Sequence, residues 1–229
     1  MYPMMFDPKY MVMILPALLL ALYAQFKVKT TFARFSSVRA SGGQSADSVS
    51  RMLLDRFGLR GVNIERVSGN LTDHYDPRSK TLRLSDSVGG SSSIAAIGVA
   101  AHEVGHAVQD LKGYVPLKIR NSLVPMAGLG SNLGILLFIL GLPMGMGFMV
   151  TLGIVLFSCA VLFQIVTLPV EFDASRRALA LLSETGTLSP AELSGAKSVL
   201  SAAALTYVAA TVMAVLQLLY LLSRSRNRR

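Results

Sequence analysis

The 229-residue chain contains no tryptophan, one cysteine and three histidines. One cysteine rules out an intramolecular disulfide and any cysteine cluster for metal. Cys159 sits in an apolar run and reads as a small buried hydrophobe. Charge is scarce as well, since Asp, Glu, Lys and Arg make up 15% of residues, against about a quarter in soluble domains. Acids are scarcer than bases, 13 against 22, which leaves a net charge of +9. Such a surplus can serve nucleic acid. Here the basic residues are scattered beside apolar spans, with no aromatic interleaving and no recognisable motif, so nucleic acid is not an expected partner. Anionic lipid headgroups account for them more simply.

What the chain has in plenty is apolar sequence: 52% hydrophobic residues and a mean hydropathy of +0.51, the balance of a membrane protein. Four stretches are about long enough to cross a bilayer: residues 4–26, 123–142, 148–168 and 201–222. The first carries its positive charge behind it, at Lys27, Lys29, Arg34 and Arg39. A signal peptide has its charge in front and small residues at a cleavage site behind. The first stretch is therefore a retained anchor, and its flanking charge puts the N-terminus outside and the following segment in the cytoplasm. With four crossings, segments 27–120 and 169–200 hold 17 Lys and Arg inside, and the outside holds 5. The tail arginines Arg224, Arg226, Arg228 and Arg229 strain that assignment.

Between the first two spans the pattern changes. Residues 36–45, rich in Ser and Gly, read as a linker, and residues 46–57 carry Val49, Leu53, Leu54 and Phe57 at helical spacing before Gly58. Val62, Ile64 and Val67 suggest a strand, and runs at 71–75 and 80–85 flank a turn at Asp76-Pro77-Arg78-Ser79. Leu82 and Leu84 alternate with Thr81, Arg83 and Ser85, which predicts a small antiparallel sheet. Residues 86–93 read as a connector that caps the next helix. Pro169 with Glu171 and Asp173 reads as a new helix start, and Ser189-Pro190-Ala191-Glu192 as a capping box.

That next helix, residues 92–111, holds the one motif that carries chemistry: His102-Glu103-Val104-Gly105-His106. Residues four apart stand one above the other on a helix, so both imidazoles aim at one point. Two imidazoles at that spacing suit zinc. Glu103 does not share their face squarely but can reach a water at the metal, which makes it a general base rather than a ligand. A catalytic zinc needs a third protein ligand. Glu171, just past a span that returns the chain towards the histidine helix, is the favoured candidate, and His74 the rival. Candidate oxyanion donors are His74, Tyr75, Tyr114 and Tyr207, and of these His74 lies on a strand expected to edge the cleft.

Together with Glu171-Phe172-Asp173-Ala174-Ser175 and an apolar hairpin between, the motif resembles the integral-membrane zinc peptidases of the HtpX and CAAX-prenyl-protease type. Adding Leu71-Thr72-Asp73-His74-Tyr75-Asp76-Pro77 and Ala203-Ala204-Leu205-Thr206-Tyr207, nearly the whole chain is similar to the YugP-like neutral zinc metallopeptidases of bacterial membranes. The resemblance implies a gluzincin-like fold, with His102, His106 and Glu171 as ligands and Glu103 as base. The wider pattern has Glu-x-x-x-Asp, whereas here Ser175 stands in the second acid's place, so the support behind the histidines must be built differently.

The expectation is thus an α+β membrane protein, mostly helical, with about four transmembrane helices. It has an anchor (1–26), a cytoplasmic catalytic domain (27–120), a transmembrane hairpin (121–168), a third-ligand segment (169–200) and a last transmembrane helix with a basic tail (201–229). The expected function is a zinc endopeptidase of a bacterial plasma membrane, its site facing the cytoplasm, acting on unfolded or membrane-proximal polypeptides. Its partners are the bilayer and a polypeptide substrate, with a membrane-protein partner or a homo-oligomer left open. The alternative is a membrane scaffold with a structural or inactive zinc site. Glu103 weighs against it, since a structural site has no use for a base and normally has four protein ligands.

Overall fold

The computed structural model describes residues 7–226 of the chain. The first residues of the span at 4–26 and the tail arginines Arg228 and Arg229 lie outside the described residues. The elements, in order, are α1 (Pro8–Ser36), α2 (Ala46–Arg56), β1 (Asn63–Val67), β2 (His74–Asp76), β3 (Thr81–Ser85), α3 (Ile94–Leu111), α4 (Val115–Gly141), α5 (Gly147–Glu184) and α6 (Pro190–Arg226). The fold is a mostly helical α+β membrane type, and α1, α4, α5 and α6 are long and apolar enough to cross a bilayer. The chain forms two compact units. One comprises Met1–Gln25, Val115–Pro169 and Leu205–Arg229, the other Phe26–Tyr114 and Val170–Ala204.

The first unit is a set of apolar helical segments held together by glycine. A Cβ placed on Gly134 would lie 2.9 Å from the Gly153 carbonyl oxygen, and one on Gly153 would lie 2.6 Å from that of Gly134. Backbones of α4 and α5 can approach this closely only where side chains are missing. Phe138, Phe157, Tyr220 and Leu221 fill the interior, while Leu19, Leu129 and Leu162 face outward, as lipid-facing positions do. The Tyr220 hydroxyl donates to Asp7 at 2.9 Å, and Arg224 lies 3.7 Å from the same carboxylate. The start of α1 and the end of α6 therefore meet.

The second unit is built around α3. Fourteen of its residues are buried, and a helix apolar on nearly all sides belongs in an interior. The Ser93 side chain caps it by accepting from the Ala96 N–H at 3.2 Å. Gly113, at φ +61°, closes it. Leu53 and Leu54 of α2, Leu82 and Leu84 of β3 and Val104 of α3 are fully buried in one core, each contributing roughly 2 kcal/mol of apolar burial.

Two expectations are corrected, for the sheet and for Pro169. The sheet is mixed: its order is β1-β3-β2, with β2 antiparallel to β3 but β1 parallel to it. Alternation fixes which face of a strand is buried, not which neighbour it takes or in which direction. The helix that holds the first span runs on past it to Ser36. Apolarity stops at Lys27, yet no glycine or proline interrupts residues 17–36, so helix propensity carries on. Pro169, against expectation, starts no helix, because α5 runs through it to Glu184. One missing N–H is a local loss, and Val170, Ala174, Ala178 and Leu182, a fully buried stripe four residues apart, hold the helix on its far side by packing.

Candidate metal centre

His102 and His106 stand one turn apart on α3, their rings edge to face with centroids 4.8 Å apart. Glu171 reaches them from α5. Its Oε2 lies 3.2 Å from His102 Nε2 and 3.7 Å from His106 Nε2. One ligand-type atom from each of the three falls within 4.8 Å of the others. Glycine permits the approach: a Cβ on Gly105 would lie 2.6 Å from the Ala174 carbonyl oxygen, so α3 and α5 touch backbone to backbone between the ligand-type residues.

Each ring is held from behind. His102 Nδ1 is 3.1 Å from the Ser175 hydroxyl, and His106 Nδ1 is 3.0 Å from Gln109 Oε1. Gln109 is fully buried. Its amide nitrogen donates to the Val170 carbonyl at 2.8 Å and to Asp173 Oδ2 at 2.9 Å. Both of those are acceptors only, so the Gln109 oxygen must face His106 and accept a proton from Nδ1. The lone pair of His106 is then on Nε2, towards Glu171. Asp173 is in turn bound by the guanidinium groups of Arg176 and Arg177.

The donor set fits zinc on these grounds. Two imidazole nitrogens and a carboxylate oxygen converge, the ring nitrogens pointing away from the centre are engaged, and such three-ligand sets are what catalytic zinc sites use.

Glu103 turns elsewhere. It is buried, and its Oε2 accepts the Tyr75 backbone N–H of β2 at 3.0 Å. Since β2 is an edge strand, that N–H points off the sheet towards α3. The Tyr75 phenol donates to Asp110 at 2.8 Å, and Lys80 pairs with the same carboxylate at 2.5 Å. Burial, assisted by that bond, raises the Tyr75 pKa well above its ordinary value, so the phenol stays a donor. His74 is not in the metal-type group. It is exposed, with Nδ1 2.9 Å from the Thr72 carbonyl oxygen.

Glu171 therefore joins His102 and His106, Glu103 stands beside them on α3, and His74 stands apart on β2. Gln109, Gly105 and Asp173 went unassigned from the sequence. The available signal was a glutamine three residues after His106 on an otherwise apolar face, the spacing at which helical neighbours meet.

Fold and site together define a helical membrane protein with a histidine–histidine–glutamate group able to hold a metal ion. The family described as "Putative neutral zinc metallopeptidase" matches residues 10–226, and the chain belongs to it. It is also 47% identical over 203 residues to the "Putative membrane protease YugP" of Bacillus subtilis (strain 168), a match covering 89% of this chain and 90% of that protein. No solved structure matches the chain. Zinc is accordingly the metal that this family and donor set call for.

Proposed function

We propose that the protein is a membrane-bound zinc endopeptidase, with His102, His106 and Glu171 as ligands and Glu103 as general base. The observation that carries the reading is the division of labour on α3. Two imidazoles converge on Glu171, while the carboxylate next to His102 stays out of that cluster and is held by the Tyr75 N–H. Zinc bound there would supply Lewis acidity to a peptide carbonyl and to water. Glu103 takes a proton from the attacking water and passes it to the leaving amine. Edge strand β2, one hydrogen bond from Glu103, offers its backbone to an extended peptide. His74, next to Tyr75 on that strand, is the candidate to contact the developing oxyanion. The substrates are unfolded or membrane-proximal polypeptide segments, and the site faces the cytoplasm of a bacterial plasma membrane.

The test is Glu103→Gln, assayed for zinc content and for cleavage of a casein-type substrate. Full zinc with cleavage reduced by at least a thousandfold is the expected result. Undiminished cleavage would remove the peptidase reading, and wild-type protein that binds zinc but cuts nothing would favour a scaffold with a structural metal.

A further inference from the structure

We propose that Gln109 is a positioning residue that fixes the tautomer and aim of His106, and that Asp173 lends charge to this ring through the Gln109 amide. The inference rests on the zinc site proposed above. It starts from a difference between the two rings in what stands behind each. The serine hydroxyl does lie behind His102, at 3.1 Å from Nδ1, and brings no charge. A carboxylate stands instead behind the other histidine, one residue further away. His106 donates to Gln109, Gln109 donates to Asp173, and Asp173 is bound by Arg176 and Arg177.

The chain has a direction that a merely structural contact would lack. Gln109 is fully buried and Asp173 nearly so, so water is not at hand to reorient either. An amide flip would put the Gln109 oxygen against the Val170 carbonyl and the Asp173 carboxylate at once, two acceptor–acceptor contacts under 3 Å. The amide is thus locked. A locked amide oxygen admits one neutral form of His106, with the proton on Nδ1 and the lone pair on Nε2. Partners of this kind behind ligating histidines typically change metal affinity 10–100-fold when removed.

The decisive measurement uses the full-length protein in detergent micelles with 15N-labelled histidine, stripped of metal by a chelator and held at a pH where neutral imidazole dominates. The chain has three histidines, and the His106→Gln spectrum assigns the ring. We expect His106 to carry its proton on Nδ1. Gln109→Met, nearly the same volume without the amide, should release that preference and weaken zinc binding 10–100-fold in chelator competition. Asp173→Asn should keep the tautomer, because Gln109 still accepts, and weaken zinc severalfold. A wild-type His106 protonated at Nε2 overturns the proposal even if Gln109→Met does not fold. Unchanged zinc affinity in Asp173→Asn overturns the role of Asp173. Wild-type protein that does not bind zinc would instead sink the metal site itself, an outcome distinct from zinc bound with the wrong tautomer.

Discussion

Gly105 and Ala174 meet where no side chain fits: a Cβ on Gly105 would sit 2.6 Å from the Ala174 carbonyl oxygen. The contact lies between His102 and His106 on one helix and Glu171 and Ser175 on the other. Gly105→Ala gains up to about 1 kcal/mol of helix propensity, but a clash with backbone costs about 1–3 kcal/mol and pushes α5 outward. The clash wins. The variant should melt lower than wild type and bind zinc at least tenfold more weakly by chelator competition. Gly128→Ala, where nothing lies within 4 Å of the new Cβ, should melt no lower than wild type and leave zinc affinity unchanged. Wild-type zinc affinity in Gly105→Ala would show that the backbone contact does not set the site.

Glu171 carries the second prediction. Its carboxylate is within 3.7 Å of both Nε2 atoms, whereas His74 is exposed and bonded to Thr72. Glu171→Ala should lose stoichiometric zinc while His74→Ala keeps it, measured by metal analysis after gel filtration. If His74 contacts an oxyanion, His74→Ala should lower kcat about 10²-fold with zinc intact. The reverse pattern of metal loss would hand the ligand role to His74.

The histidine pair and its glutamate were legible because their geometry is local: a fixed helical spacing puts them together wherever the helix goes. Glu171 was reachable only through chain order, since a hairpin of two spans has to bring the chain back. Gln109 and Asp173 were not legible as partners, because their meeting depends on how α5 rotates against α3, and Asp173 looked like a charge at a helix start. That misreading came from Pro169, whose local preference was overruled by the buried stripe from Val170 to Leu182. The parallel pairing of β1 with β3 was hidden for a related reason: strand direction is a tertiary choice. Four apolar spans, by contrast, declared themselves by composition alone.

A third prediction concerns acid. Asp76 heads the turn between β2 and β3. The Ser79 hydroxyl at 2.7 Å and the Arg78 N–H at 2.9 Å donate to it. These bonds, Ser79 first, lower its pKa from 3.8 to about 2. A depressed carboxylate stabilises the fold above its unfolded pKa, and that contribution is lost as pH falls from about 4 through about 2. Ser79→Ala should therefore speed hydrogen exchange in the β2–β3 hairpin at pH 6, with the difference from wild type shrinking towards pH 2. A difference that grows on acidification would refute this origin of the hairpin's hold. The consequence reaches the site, since this hairpin presents the Tyr75 N–H to Glu103.

The last prediction is topological and follows from the meeting of Asp7 with Tyr220 and Arg224. Four crossing helices with Asp7 beside Tyr220 and Arg224 require the start of α1 and the end of α6 on one side of the bilayer. Segments 27–120 and 169–200, expected on the other side, carry 17 of the 22 Lys and Arg, which the positive-inside rule assigns to the cytoplasm. The tail arginines oppose this, but Arg224 lies beside the Asp7 carboxylate. In a Cys159→Ala background, a cysteine introduced by Ser37→Cys should react with a membrane-impermeant maleimide only after cell lysis. One introduced by Ser225→Cys should react in intact cells. Labelling of Ser37→Cys in intact cells would invert the orientation and move the candidate site to the outer face. Labelling of the two from opposite sides is thus the expected result, and equal labelling of both would deny that all four helices cross.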